Sequence, residues 1–312
     1  MKIVFIGTSE FSAIILEGLI KNNLKPVLVV TAPDKPVGRK QKLTPPPAKI
    51  TAQKYNISVL QPKAVLNINN QVLSIKPDLI IVASYGKILP REILDIPKYS
   101  CLNVHPSLLP KYRGPSPIQT AILNGDKETG VTIILMDELI DHGAILVKEK
   151  IKILAKENNE TLHKKLAQLA VKLLLKTIPD WVKGKIKPEV QDESKATFTK
   201  VLTRENGKID WEKPAKEIER QVRAFYPWPG AFAFWQKGDK LLRIKILKAK
   251  TAETKDIKAM VGQIVLSPSQ KIAVKCKEGF LEIWELQPEG KSPMTAEDFL
   301  RGNPQLARSF FE

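Results

Sequence analysis

Residues 2–32 read KIVFIGTSEFSAIILEGLIKNNLKPVLVVTA, and the order of their patterns decides the fold. KIVFIG (2–7) is a continuous apolar run, which marks a strand buried on both faces rather than one with a wet side. FSAIILEGLIKN (11–22) then places apolar residues at helical spacing and ends in polar ones, and PVLVVTA (26–32) returns to a β-branched run bounded by Pro26 and Pro33. Further along, DLIIVASYG (78–86), CLNVH (101–105) and VTIILM (131–136) repeat the buried-strand pattern between helical segments. Such alternation predicts an α/β domain with a doubly wound, mainly parallel sheet of Rossmann-like type, covered on both faces. A long helix over 160–183, with Leu162, Leu166, Leu169, Leu173 and Trp181 close to one face, closes this domain, which is expected to span 1–184. The first turn, GTSEFSA, lacks G-x-G-x-x-G, so the pyrophosphate fingerprint of an NAD-dependent oxidoreductase is missing.

Beyond the long helix the text changes character. KIKPEVQDESKATFTKVLTREN (185–206) is polar and aperiodic, and reads as a linker. One short helix, PAKEIERQVRAF (214–225), precedes five short strand patterns, GAFAFW, KLLRIKIL, GQIVL, KIAVKC and FLEIWEL, punctuated by Gly, Pro and Asp. They predict a small OB-like β-barrel domain over 207–312. In the first half, PDKPVGRKQKLTPPPAK (33–49) stands out as a long, basic, Pro-rich loop, a length that compact domains keep for function or disorder.

The chain has 312 residues, 43% of them hydrophobic and 27% charged, which is ordinary globular composition with room for a sizeable core. No apolar run approaches the roughly 18 residues of a membrane span. MKIVFIGTSE starts directly on a strand pattern, without a long apolar h-region or cleavage site, so a cytoplasmic protein is expected. Cys101 and Cys276 lie far apart and outside any C-x-x-C spacing, and His105, His142 and His163 fall in no metal-ligand spacing, so no metal is expected. Fifty basic against thirty-three acidic residues give +17; residues 1–184 hold 26 and 15 (net +11) and 185–312 hold 24 and 18 (net +6). Such a balance points to a polyanionic partner, against the plain reading of a Lys-rich surface that only keeps the protein soluble, and because both halves are positive one basic tail does not explain it. No exposed apolar stripe is left unassigned, and a monomer is expected.

The chemistry concentrates in NVHPSLLPKYRG (103–114). Side chains alternate along a strand, so Asn103 and His105 project to one side, about 6.6 Å apart along the backbone. Pro106 keeps His105 extended and ends the strand there. Strand carboxyl ends line the ligand crevice of an open α/β sheet. If the next strand, 131–136, is parallel, the loop carrying Asp137, Glu138 and Asp141 leaves from that same rim. A carboxylate orients an imidazole and favours its charged form, and an Asn amide donates to a developing oxyanion, a set suited to adding a neutral nucleophile to a carbonyl. Against this stands the plain reading of a hydrogen-bonded structural His and a turn Asn bonding its own backbone.

Read as one string, NVHPSLLPKYRGPSPIQTAILNGDKETGVTIILMDELIDHGAIL (103–146) resembles the signature of the folate-dependent formyltransferases. GTSEFSA, PDKPVGR, ASYGKILP (83–90) and RAFYPWPGAFAFW (223–235) extend the resemblance over nearly the whole chain, toward the branch acting on methionyl initiator tRNA. The resemblance implies formyl transfer from 10-formyltetrahydrofolate to the α-amine of that aminoacyl group. It implies catalytic roles for Asn103, His105 and Asp141, folate contacts from Ser107, Leu108, Leu109 and Pro110, and a pterin pocket lined by main chain at Lys87, Ile88 and Leu89. Arg39, in a basic loop with Lys40 and Lys42, matches a residue that engages the tRNA acceptor end, and the second domain is expected to bind the tRNA. On the strand KLLRIKILKAK (240–250), Lys240, Arg243, Lys245, Lys248 and Lys250 interleave with apolar positions; one face would meet phosphate, unless the lysines only guard a solvated edge. The aromatic cluster of Phe225, Tyr226, Trp228, Phe232, Phe234 and Trp235 is expected to pack between domains rather than to stack on bases. The sequence departs from the family pattern at Pro115, Ser116, Leu139 and His142. A formyltransferase acting on glycinamide ribonucleotide or an amino sugar shares the 103–141 constellation, and a non-enzymatic OB-type nucleic-acid binder accounts for the charge but not for that constellation.

Overall fold

A computed structural model of the chain describes residues 1–38, 41–64, 69–252, 258–267 and 271–312, with only the backbone of Val37 and Asn69. Its contacts separate two units, Met1–Pro117 with Lys127–Lys152 and Leu162–Lys200, and Ile118–Asp126 with Ile153–Thr161 and Val201–Glu312.

The first unit is built on β1 (Ile3–Gly7), α1 (Glu10–Lys21), β2 (Leu28–Val30), β3 (Lys35–Val37), β4 (Lys42–Thr44), α2 (Pro47–Lys54), β5 (Ser58–Leu60), α3 (Asn69–Ile75), β6 (Leu79–Ala83), α4 (Arg91–Leu94) and β7 (Cys101–His105). After α5 (Pro117–Asn124), which from Ile118 onward falls in the second unit, it continues through β8 (Glu128–Leu135), β9 (Ile145–Lys152) and most of α6 (Asn159–Val182). Seven strands form one sheet in the order β5-β2-β1-β6-β7-β8-β9. Every residue of β1 and of β6 is buried, as continuous apolar runs require. On one face Val4, Ile6, Ile80 and Val82 pack with Val72 of α3 and with Ile93 and Leu94 of α4. A Cβ at Gly7 would stand 2.7 Å from the Ala83 carbonyl oxygen, to which Ser12 donates at 2.5 Å. The glycine of GTSEFSA therefore lets the ends of β1 and β6 close together, a packing duty instead of a phosphate-binding one.

Three expectations change. The parallel run stops at β7: β8 pairs antiparallel with β7, and β9 antiparallel with β8. Leu135 therefore lies level with Leu102 near the start of β7, so the loop carrying Asp141 does not leave from the carboxyl rim of the parallel strands. It returns alongside β7 instead. β9 has the polar outer half of an edge strand, with Lys148, Glu149 and Lys150 exposed. The basic stretch at 33–49 is not an open loop but carries the β3–β4 hairpin, anchored at its base where Lys49 pairs with Asp34 at 2.8 Å and Gln61 donates to Asp34 at 2.7 Å. Finally, residues of the polar 185–206 stretch are packed into the first unit: Arg113 N donates to Thr197 O at 2.8 Å, and Thr199 N donates to Arg113 O at 2.8 Å.

The second unit contains α7 (Ala215–Ala224), β10 (Ala231–Lys237), β11 (Lys240–Ala252), β12 (Ile264–Leu266), β13 (Ile272–Lys275), β14 (Phe280–Pro288), β15 (Met294–Thr295) and α8 (Ala296–Arg301). All five strand patterns of its sequence are present, in the antiparallel order β10-β11-β14-β13-β12, with β15 on β14. Residues 308–312 join the two ends of that order. Phe234 and Glu312 exchange backbone hydrogen bonds at 2.9 Å, while Ile264 N donates to Ser309 O at 2.8 Å and Arg308 N to Ile264 O at 2.9 Å. The sheet is thereby closed into a barrel whose core holds Trp235, Ile244, Ile246, Leu281, Ile283 and Phe311, capped by Ile218 and Val222 of α7. Phe225, Phe232 and Trp235 are buried, whereas Trp228 is 56% exposed.

Candidate active site

The three groups singled out on spacing meet. Asn103 Nδ2 donates to Asp141 Oδ1 at 2.9 Å, and His105 Nδ1 lies 3.4 Å from Asp141 Oδ2. The Gly114 amide donates to the same Oδ2 at 2.8 Å, so the carboxylate is held from both sides. Alternation along β7 puts Asn103 and His105 on one face, and the antiparallel β8 brings the 136–144 turn back over it. Asp141 itself adopts φ +50°, the left-handed region that a non-glycine residue enters only when its surroundings hold it there.

His105 is enclosed by the protein. It is 4% exposed, and its Nε2 lies 2.9 Å from the Tyr112 carbonyl oxygen. A carbonyl oxygen only accepts, so Nε2 carries the hydrogen in that contact, and it reaches a substrate oxygen only in exchange for Tyr112. Asn103 is different, because one amide hydrogen goes to Asp141 and the second meets no acceptor among the described residues.

The loop that follows β7 is fixed from below. Thr132 Oγ1 donates to Ser107 O at 2.7 Å and accepts from Leu109 N at 3.1 Å, and Ser107 Oγ donates to Lys111 O at 2.6 Å. Leu109 is buried with Ile134 and Ile145, and the Leu109–Pro110 peptide is cis. Ser107 and Leu109 therefore serve the loop's own framework, while Leu108 and Pro110 are half-buried. Lys87, Ile88 and Leu89 lie in the loop that follows β6, the strand whose Val82 is level with Asn103. Ile88 is 61% exposed, Leu89 is sealed in the core, and Lys87 donates to Lys63 O at 3.2 Å.

Of the residues expected at a tRNA surface, Arg39 and Lys40 lie outside the described residues, and Lys42 is exposed on β4. On β11 the interleaving is real but does not make one row. Ile244 and Ile246 enter the core, Arg243 stacks over the Phe232 ring at 5.6 Å, and Lys245 donates to Pro227 O at 3.4 Å. Burial, with Arg243 and Arg204 nearby, holds the Lys245 ammonium below the usual lysine range. A register shift between Ile246 and Lys248 then re-aims the strand. Lys248 and Lys250 lie 5.6 and 5.8 Å from the ring centre of Trp284, with Lys271 at 5.0 Å, while Lys240 is exposed at the start of the strand. Trp284 was legible as an outward position in the alternation of FLEIWEL. Gln191, Thr132 and the buried Arg113 left no such signal, because a lone polar residue in an aperiodic stretch or a strand has no pattern to read.

Among the described residues no group of three or more His, Cys, Asp or Glu is arranged to hold a metal ion, and no helix is long and apolar enough to cross a membrane. Cys101 and Cys276 are free and buried, and burial pushes both thiols up to about 12.

A Rossmann-like sheet thus carries an amide and an imidazole on one strand face, met by a carboxylate from a neighbouring turn, and an antiparallel barrel follows it. The formyl transferase profile matches residues 1–178, and that of the formyl transferase C-terminal domain matches residues 201–304. The chain belongs to the formyl transferase family and is a group-transferring enzyme. The methionyl-tRNA formyltransferase of Halalkalibacterium halodurans is 43% identical over 304 residues, 97% of this chain and 95% of that one. Among solved structures, HypX from Aquifex aeolicus in complex with tetrahydrofolic acid aligns with a TM-score of 0.66 at 18% identity, over 96% of this chain and 47% of that one. The N-formyltransferase from Helicobacter canadensis, in complex with folinic acid and dTDP-3-aminofucose, aligns with a TM-score of 0.65 at 22% identity, over 91% of this chain and 98% of that one. These two share the fold.

Proposed function

We propose that the chain transfers the formyl group of 10-formyltetrahydrofolate to the α-amino group of methionyl initiator tRNA, in the cytoplasm, with 1–184 carrying the chemistry and the barrel from 207 onward binding the tRNA. The observation that carries the reading is the convergence of Asn103 and His105 on Asp141, in a chain 43% identical over nearly its full length to a methionyl-tRNA formyltransferase. The amine attacks as the neutral base, and the formyl oxygen gathers negative charge in the adduct. Asn103 gives its second amide hydrogen to that oxygen. His105 adds positive charge beside it, or a direct hydrogen bond from Nε2 in exchange for the Tyr112 carbonyl. Asp141 orients both groups, and the proton shed by the attacking nitrogen passes toward it through water and on to the folate nitrogen, which leaves as the neutral amine of tetrahydrofolate when its bond to the formyl carbon breaks.

Transfer to glycinamide ribonucleotide or to an amino sugar is the second reading, and the Helicobacter canadensis enzyme is an example of a sugar complex on this fold. The net charge of +17, spread over both halves, favours a polyanionic acceptor over either small one. One assay separates them: formyl-folate with charged initiator tRNA, ribonucleotide or amino sugar as acceptor. Transfer to the tRNA is expected to dominate, with Asn103→Ala, His105→Ala and Asp141→Asn each lowering kcat by about a hundredfold to a thousandfold. Preference for a small acceptor refutes the tRNA reading, and near-parental rates in those variants refute the assignment of the trio.

A further inference from the structure

Asp141 depends on a side chain from the polar stretch that looked like a linker. Gln191 is 5% exposed, and its Nε2 donates to the backbone carbonyls of both Asp141 and Gly143 at 2.8 Å. Its Oε1 accepts from Arg113 Nε at 3.1 Å and from Arg113 Nη2 at 2.9 Å. Four contacts on one amide leave it a single orientation, since turning it over would set N–H against guanidinium and oxygen against carbonyl. Arg113, 2% exposed, is fixed in turn by two hydrogen bonds to Glu193, at 2.9 and 2.6 Å. Glu193 is held below the usual carboxylate range, first by that Arg113 contact.

We infer that Gln191, locked by Arg113, is a positioning residue that holds the Asp141 carboxylate against Asn103 and His105. The two carbonyls it binds flank His142, and the first belongs to Asp141, the residue in the left-handed region. Without them that residue is free to relax toward ordinary backbone angles, which swings the carboxylate off its partners. Arg113 also ties the far side of the site. Its backbone bonds to residues 197 and 199 align the segment that supplies the Tyr112 carbonyl to His105 and the Gly114 amide to Asp141. The 186–200 stretch is therefore a strap across the site's two loops. The inference rests on the catalytic reading of Asp141 given above.

The test substitutes Gln191→Met, which keeps the side chain's length and removes the donors and acceptor, with Gln191→Asn as the gentler change should the first fail to fold. Amide exchange at Gly114 reports the Asp141 carboxylate with no substrate present. It is expected to quicken at least about tenfold in either variant, while amides within β7 keep their rates. In turnover kcat falls about thirtyfold, KM for folate and acceptor stays within about threefold, and in an Asp141→Asn background the same change lowers kcat by less than about threefold. Unchanged Gly114 exchange overturns the inference whichever acceptor the enzyme uses. Losses that multiply in the double variant, or faster exchange with parental kcat, overturn it too. A Gly114 response in a protein that formylates no tRNA supports the positioning of Asp141 and refutes only the tRNA reading.

Discussion

Thr132 shows how much a single hydroxyl decides. It is fully buried and serves both the Ser107 carbonyl and the Leu109 amide, so the loop expected to touch folate hangs on it. Thr132→Val keeps the shape and leaves two buried backbone groups without a partner. A loss of about 1–3 kcal/mol in urea unfolding is expected, together with a higher KM for formyl-folate than for tRNA relative to the parent. A variant as stable as the parent would show that the loop is held by other means. Arg113 teaches the complementary lesson. Next to Lys111 in a basic cluster it reads as surface, yet it is almost wholly buried, because Gln191 and Glu193 supply the acceptors that make a buried guanidinium tolerable. Nothing local to residue 113 announces acceptors 78 and 80 positions away.

The packing of α1 on α2 carries its own pH signature. Hydrogen bonds from Lys54, the larger cause, and from Tyr55 bring the Glu17 carboxyl down to about 2 from 4.5. A group whose folded pKa is depressed stabilises the fold above its unfolded pKa and loses that contribution as pH falls. The window here is from about 4.5 down to about 2. Glu17→Gln is expected to lower stability at pH 7 by less than about 1 kcal/mol, given the partial exposure of the pair. Its urea midpoint should converge on the parent's as pH drops through that window, and a gap that persists at the acid end would argue against the carboxylate as its source. The barrel offers a larger effect. Phe311 is 3% exposed, stacks on Trp211 at 6.0 Å, and belongs to the stave that joins β10 to β12. Phe311→Ala is expected to cost about 3–5 kcal/mol in the unfolding of the second unit, against little change in the first.

Charge acts over the full chain. A net +17 divided between both halves makes acceptor binding fall linearly on a log-log plot against salt, with a slope of about −0.9 for each phosphate neutralised. Lys248→Ala and Lys271→Ala, which strip two of the three lysines around Trp284, are each expected to reduce that slope by about one while leaving turnover at saturating tRNA unchanged. A flat salt dependence in the parent would remove the phosphate interface from the account. The same two substitutions test whether the register shift in β11 creates a binding face or only a solvated edge.

The strands β1, β2, β6, β7 and β8, the long helix α6 and the five strand patterns of the second unit were readable from one dimension, because burial on both faces demands continuous apolar runs and a one-sided helix demands a period near 3.6, whereas the short β5 and the polar edge strand β9 offer no such run. So were Asn103 and His105 as neighbours on one face, since the strand period of two acts over adjacent residues. The family motifs marked Asp141 as their partner. The direction of β8, the hairpin within 33–49, the strap formed by 186–200 and the second acceptor on His105 were decided only in three dimensions. Each depends on hydrogen bonds between distant positions, 38 residues apart for Asn103 with Asp141 and 50 for Asp141 with Gln191, and such pairings leave no periodic trace in the chain. Local sequence selects what each segment can become; which carboxylate meets which imidazole is set when those segments close on one another.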